Sequence, residues 1–359
     1  KINPKNSAIY GNLGVIFKIK GDINRAIKCY IEAIKLDPKN IPIYNNLANA
    51  FKEIKNYKMA LQVYADILKI NPNDFNTFNN IGIIFELIGD NNKAIEAYKQ
   101  AVRINPNHAK SINNIGVVLY KQKKYKESAQ IFEIALQVDE NYFEVYSNKG
   151  AAYNKAKEYD KAIESLEMAI LKMPNHGGAY TNLGNVYNKL FDYKTAAKMH
   201  EKSIELEPNG SNAYSNVGTS YKYLGLSDKA ITSYKKAIEL DPNFVNAHFD
   251  LATMYLASED FKNGWKEYEW RFKKEEMIPH IIKHKDIFSL PLFTGVENIK
   301  GKTLLLHSEQ GYGDSIQFIR FAPQIKEIFG CKIAVKWREG LKELFQTMSE
   351  IDAIADRNE

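Results

Sequence analysis

Proline stands at Pro4, Pro38, Pro72, Pro106, Pro174, Pro208 and Pro242, a spacing of 34 residues broken only where Glu140 takes the proline's place. No other feature constrains the fold as tightly, because a fixed period of this length means one small unit, repeated and stacked. Small residues keep the same spacing at Gly14, Ala48, Gly82, Gly116, Gly150, Gly184, Gly218 and Ala252. A second small column runs through Ala26, Ala60, Ala94, Ser128, Ala162, Ala196, Ala230 and Gly264. Large apolar or aromatic residues recur at Phe17, Phe51, Phe85, Leu119, Tyr153, Tyr187, Tyr221 and Tyr255.

Within each unit the pattern is that of two amphipathic helices, A and B. In the third unit Phe78, Ile81, Gly82 and Phe85 fall at i, i+3, i+4 and i+7 on one face of helix A, and Ala94, Tyr98 and Ala101 share a face of helix B. Small residues let the two helices approach, and the proline stops helix B. Neither helix buries its stripe alone, so stacked neighbours must supply the core. The period and the residues that carry it resemble the tetratricopeptide repeat (TPR). The resemblance implies a mainly all-α chain, a right-handed superhelix of eight helix-turn-helix repeats over residues 7–278. Residues 1–6, "KINPKN", match the close of other repeats and are expected to be the tail of a preceding one. The eighth unit departs from the pattern in "NGWKEYEWRFKKEEM", where Trp265 and Trp270 are expected to cap the array.

One column is stricter than packing alone requires. Asn12, Asn46, Asn80, Asn114, Asn148, Asn182 and Asn216 hold one place in seven repeats, with Asp250 in the eighth. On helix A that place lies about 200° around from the core-facing aromatic at Tyr10 or Tyr44, so it points away from helix B. Asparagine is a mediocre helix former, and propensity does not explain the column. Two roles fit, alone or together: hydrogen bonds between adjacent helices, or a ladder of donors and acceptors that grips the backbone of an extended polypeptide. The spacing resembles the asparagine ladder of the O-GlcNAc transferase superhelix, and by that resemblance these asparagines are the peptide contacts. Lys18, Lys52, Lys121, Lys155, Lys189 and Lys222 stand close by and would favour an acidic or phosphate-bearing ligand.

Composition narrows the partners. The net charge of +6 is spread over the chain without a basic block, so nucleic-acid binding is not indicated. The two cysteines, Cys29 and Cys331, lie far apart, which fits a reducing, cytoplasmic setting and neither a disulfide framework nor a cysteine-ligated zinc. No apolar run approaches the length that spans a bilayer. No cofactor is expected.

After residue 278 the period ends. Residues 279–300 read as a linker, in which His280 and His284 at i, i+4 are taken as coincidental for want of a third metal ligand. From residue 301 the pattern becomes α/β: strands over 302–308, 331–337 and 351–356, helices over 315–329 and 340–348, with Pro323 interrupting the first helix. "GKT" at 301–303 leads into a strand and is not a phosphate loop, and Ile316 stands where a dinucleotide fingerprint needs glycine. What remains is a strand, a turn with Gly311 and Gly313, and a helix whose N-terminus can attract an anion. Asp314 and Gln317 are spaced as a capping box.

"LPLFTG", "GKTLLLHSEQGYGDSIQFIRFAPQI" and the preceding "NGWKEYEWRF" resemble bacterial TPR proteins that carry a glycosyltransferase-like domain, similar to heptosyltransferases of the GT-B fold. The resemblance covers residues 261–359. It implies that Gly313, Asp314 and Pro323 belong to the acceptor side of a transferase, with Asp314 as general base, and that the donor-nucleotide half lies further on. Residues 301–359 are then the opening of a truncated α/β domain, and a nucleotide sugar is a ligand only with the rest of that domain. Two functions follow: a scaffold that holds a peptide or protein, or the substrate-recognition part of a nucleotide-sugar-dependent glycosyltransferase.

Overall fold

The structure is a computed structural model of the 359-residue chain and describes residues 6–274, 277, 290–293, 295, 297–307, 312–336 and 339–354. The chain divides into two units, Lys1–Lys274 and Glu275–Glu359.

The first unit is a run of helix pairs. The A helices are α1 (Ser7–Ile19), α3 (Ile41–Glu53), α5 (Phe75–Ile88), α7 (Ala109–Lys121), α9 (Phe143–Lys155), α11 (Gly177–Lys189), α13 (Ser211–Tyr223) and α15 (Val245–Ala257). The B helices are α2 (Ile23–Leu36), α4 (Tyr57–Ile70), α6 (Asn91–Ile104), α8 (Tyr125–Val138), α10 (Tyr159–Lys172), α12 (Tyr193–Leu206), α14 (Ser227–Leu240) and the short α16 (Phe261–Tyr268). Each helix packs on the next in sequence, and most successive A helices also touch, as α7 does α9 and α11 does α13. Successive B helices make no comparable contact, so the A helices form the tighter wall of the stack.

Local chemistry sets the boundaries. Every A helix ends in a residue with positive φ: Gly21, Lys55, Gly89, Lys123, Lys157, Phe191, Gly225 and Glu259. The next N–H reaches back five residues, as in Asp22 N to Phe17 O at 2.9 Å and Asn56 N to Phe51 O at 2.8 Å, and so closes the exposed end of the helix. Helix B then starts on a capping side chain where Asp22, Asn56, Asp90, Asp192 or Asp260 accepts from the N–H three residues on. It ends at an extended residue, because the following proline disfavours the helical region for its predecessor. Repeat four keeps this break without proline: Asp139 is extended at φ −144°, and its carboxylate accepts from Asn141 N at 3.0 Å.

The seam between paired helices explains the small columns. A β-carbon on Gly14, Gly82, Gly116, Gly150, Gly184 or Gly218 would lie 2.4–2.8 Å from a side chain of the same repeat's B helix: Tyr30, Tyr98, Phe132, Leu166, His200 and Tyr234 in turn. Those six side chains are fully buried or nearly so, as are Ala26, Ala60 and Ala94 beside them. Where serine replaces alanine, at Ser128, its hydroxyl donates to Gly116 O at 2.7 Å and is satisfied. At the end of the unit Trp270, in a 3-10 turn over Glu269–Lys273, stacks on His248 with centroids 3.7 Å apart, whereas Trp265 stays half exposed.

The second unit holds a parallel sheet of order β1 (Thr303–His307), β2 (Lys332–Lys336), β3 (Ala353–Ile354), with Leu305 beside Ala334 and Ala334 beside Ala353. Between β1 and β2 lie α17 (Tyr312–Ile319) and α18 (Ala322–Phe329), two helices where the sequence pattern gives one interrupted helix. Pro323 sits in the first turn of α18, where its missing N–H costs nothing. Ile319, Ile333, Val335, Leu341 and Phe345 close the core. Asp352 ties β3 to the rest, accepting from Lys326 Nζ at 2.8 Å and from Ile333 N at 2.7 Å, and the Lys326 bond holds its carboxyl below the usual range.

Candidate peptide-binding face

The asparagine column lies on the A-helix wall. Asn46, Asn80, Asn114, Asn148, Asn182 and Asn216 are half-buried, and Asn12 is exposed. In the middle of the array the column is not idle. The Nδ2 of Asn114 donates to Asn79 Oδ1 at 3.0 Å, that of Asn148 to Asn113 Oδ1 at 3.1 Å, and that of Asn182 to Ser147 Oγ at 3.2 Å. Each acceptor lies 35 residues earlier, one position before the asparagine of the preceding repeat. Part of the column's chemistry is therefore interhelical.

Sequence reasoning missed these acceptors. They form a second polar column, Asn45, Asn79, Asn113, Ser147, Thr181 and Ser215, one residue before the first. The signal was available in the doublets Asn45–Asn46, Asn79–Asn80 and Asn113–Asn114. Asn79 and Asn113 are buried, and Asn79 Oδ1 also accepts from Ser111 Oγ at 3.0 Å, which in turn meets His108 Nδ1 at 2.8 Å. The bond is made from repeats four, five and six; in repeat two the buried Asn45 Oδ1 has no partner, and in repeat six Thr181 Oγ1 pairs with Ser203 Oγ at 2.7 Å instead.

Each column asparagine that bonds its neighbour uses one of two N–H groups. For Asn148 and Asn182 the Oδ1 and second N–H are left for another partner, whereas Asn114 Oδ1 also accepts from Asn113 Nδ2 at 3.5 Å. In repeat eight Asp250 replaces the amide and accepts from Lys222 Nζ at 3.3 Å. Three of the six nearby lysines are paired in this way: Lys222, Lys18 with Glu53 at 3.4 Å, and Lys121 with Glu86 at 2.7 Å. Glu86 also accepts from the Tyr98 hydroxyl, whose pKa is raised by burial and by that bond. Lys52, Lys155 and Lys189 have no ion pair among the described residues, so cationic character on this face is local. A recess of about 590 Å³ opens at repeats one to three, between Lys18, Asn49, Lys52, Glu53 and the apolar Ile83 and Leu87.

Family profiles of the tetratricopeptide repeat match residues 14–55 and 84–123, 41–74 and 177–209, 116–180, 211–244 and 233–268. The chain carries a tetratricopeptide-repeat array. A TPR protein from Parabacteroides merdae superimposes with a TM-score of 0.56 at 19% identity, over 69% of this chain and 98% of its own length. A chain of the APC/C hetero-tetramer Cut9–Hcn1 matches with a TM-score of 0.57 at 16% identity, over 74% and 52%. Human IFIT1, solved as a dimer with m7Gppp-AAAA, matches with a TM-score of 0.52 at 15% identity, over 78% and 71%. At these identities the likeness establishes the fold. No curated protein matches the sequence.

The other predicted site falls in the second unit. Gly311, His280 and His284 lie outside the described residues, as do the side chains of Gly313 and Asp314. The backbone places Gly313 and Asp314 within the first turn of α17, which begins at Tyr312, so Asp314 does not hold the N-cap position that a capping box with Gln317 needs. Among the described residues no helix is long and apolar enough to cross a membrane.

Proposed function

We propose that the TPR array is a scaffold that holds an extended polypeptide along its A-helix wall, with the asparagine column bonding the ligand's main chain. The observation that carries this reading is the amide inventory. Asn114, Asn148 and Asn182 satisfy one donor each on the neighbouring helix; each keeps a second donor, and Asn148 and Asn182 keep their acceptor, while Asn114 Oδ1 retains one lone pair beside its bond from Asn113 Nδ2. An alternating donor and acceptor at every repeat complements a peptide backbone and ignores its side chains, which suits a general holder. The interhelical bond fixes the amide plane, so the free edge is presented in one orientation. Lys155 and Lys189, exposed and without ion pairs, favour acidic residues in the ligand near repeats five and six. Replacing Asn114, Asn148 and Asn182 together by alanine is expected to weaken binding of an unstructured acidic peptide at least about tenfold, since each lost hydrogen bond is worth about 1 kcal/mol. Circular dichroism should stay that of the parent. Unchanged affinity would make the column structural only.

The second reading makes the array the substrate-recognition part of a glycosyltransferase whose catalytic domain opens in the second unit. The parallel order β1-β2-β3 with a strand, helix and strand connection favours it, as does the position of Asp314 at the start of α17. On this reading Asp314 is the general base toward an acceptor hydroxyl, and the nucleotide sugar is held by chain beyond the sheet described. Sugar transfer by the longer protein, lost on Asp314→Asn with peptide binding retained, is the outcome that supports it.

A further inference from the structure

The A–B turns of repeats six and seven each place a large apolar residue at a slot where the other turns hold glycine or a polar residue. The positive-φ position holds glycine, lysine or glutamate in seven repeats and Phe191 in the sixth. Its ring is 75% exposed, at φ 62°, in a conformation that any residue with a β-carbon adopts against its preference. Leu226 occupies the helix-capping slot of repeat seven, makes no capping bond and is 42% exposed. Aspartate or asparagine caps at that slot in five other repeats.

Phe191 is joined into one surface with tyrosines of both repeats. The Tyr193 and Tyr223 rings stack across the two repeats, with centroids 4.6 Å apart and planes 13° apart, and Phe191 meets Tyr193 edge-on at 6.3 Å. Leu190 and Leu224 are exposed beside them. The exposed Ile54 of repeat two, and Leu87 and Ile88 of repeat three, lie in turns whose positive-φ and capping slots hold glycine or a polar residue. Glycine at 191 and aspartate at 226 would serve the fold better, and residues that break local rules without a folding gain mark a functional surface.

Four lysines without an ion pair among the described residues stand beside the patch, against the exposed Asp228 within it. Lys155, Lys157, Lys189 and Lys194 are exposed and have no ion pair among the described residues. Of the acids, Asp192 is committed to capping Thr195 N at 3.0 Å, and Glu158 to Lys161 at 2.8 Å and Lys126 at 3.7 Å. We propose that this turn edge docks an acidic segment of a partner protein, which sets an aromatic or large aliphatic residue against Phe191 and Tyr223 and its carboxylates against the lysines. Tyrosine rings that stack on each other, and so are not free to insert at an interface, disfavour an anionic lipid surface. The site shares Lys155 and Lys189 with the proposed ligand of the asparagine column but none of the asparagines, so Phe191→Gly tests it apart from that reading.

The test uses a fluorescein-labelled peptide of alternating glutamate and leucine with one central tryptophan, and its tryptophan-to-serine counterpart. Phe191→Gly keeps the turn, since glycine fills that slot in repeats one, three and seven, and should not lower the melting temperature. It is expected to weaken the tryptophan peptide about tenfold, as loss of one buried aromatic anchor does. Lys189→Glu should weaken it several-fold and flatten its salt dependence. Equal affinity for Phe191→Gly and the parent, or for the two peptides, overturns the proposal. So does Phe191-dependent binding to phosphatidylserine vesicles without peptide binding, or a Phe191-dependent dimer in sedimentation without it.

Discussion

Two surfaces of the A helices are equally periodic, yet they are held to their period by different physics. On the inner side, facing helix B, a glycine or alanine recurs because a ring or branched side chain of the same repeat fills the space above it. A β-carbon at Gly116 would lie 2.6 Å from Phe132 Cε1, so the period there is a packing requirement. On the outer side asparagine recurs where nothing excludes other residues by volume. The bonds from Asn114 and Asn148 to the preceding helix explain part of that column, but serine stands as acceptor at Ser147, and repeat two lacks the bond altogether. A strict period is thus evidence of function only once the packing demand has been subtracted.

Substitutions should separate the two surfaces by size of effect. Phe132→Ala empties the seam slot of repeat four and is expected to cost about 3–5 kcal/mol in denaturant unfolding, with peptide binding lost only as the fold is lost. The histidine in the same slot of repeat six gives a pH handle. Burial pushes the His200 imidazole down to about 4 from 6.5. Between those values the unfolded chain takes up a proton that the folded chain refuses, so stability falls as the pH falls through that window, by about 3 kcal/mol in all. His200→Leu, the residue type of repeat five, should remove that slope in urea titrations at stepped pH, and its persistence would assign the slope elsewhere. Gly116→Ala forces a β-carbon against Phe132 and is expected to cost about 2 kcal/mol. Asn113→Ala removes one interhelical acceptor and should cost only about 1 kcal/mol, while leaving peptide affinity within about twofold.

Much of the array was legible because its units are local. A helix pair of 34 residues closes its own seam, so the columns in the sequence are the contacts in space. What stayed hidden was chemistry that is kept by type and not by residue. The slot above the glycines holds tyrosine, phenylalanine, leucine or histidine, alike in bulk and unlike in name, and His200 drew no notice there. The acceptors mix asparagine and serine, which share only an oxygen at the right height. In the second unit the alternation of short apolar runs gave the strands and helices. The break into α17 and α18 follows from Pro323, and the third strand is described over Ala353–Ile354.

The central claim is that the asparagine column reads a peptide's main chain, and the most direct measurement exchanges a main-chain donor. A bound peptide is compared with its counterpart in which one central amide is an ester, against the parent array and against Asn148→Ala. The account predicts that the ester weakens binding about fivefold to tenfold in the parent and leaves it almost unchanged in the variant, the coupling of about 1 kcal/mol expected of one hydrogen bond. Equal losses in both proteins, or no loss in either, would contradict it.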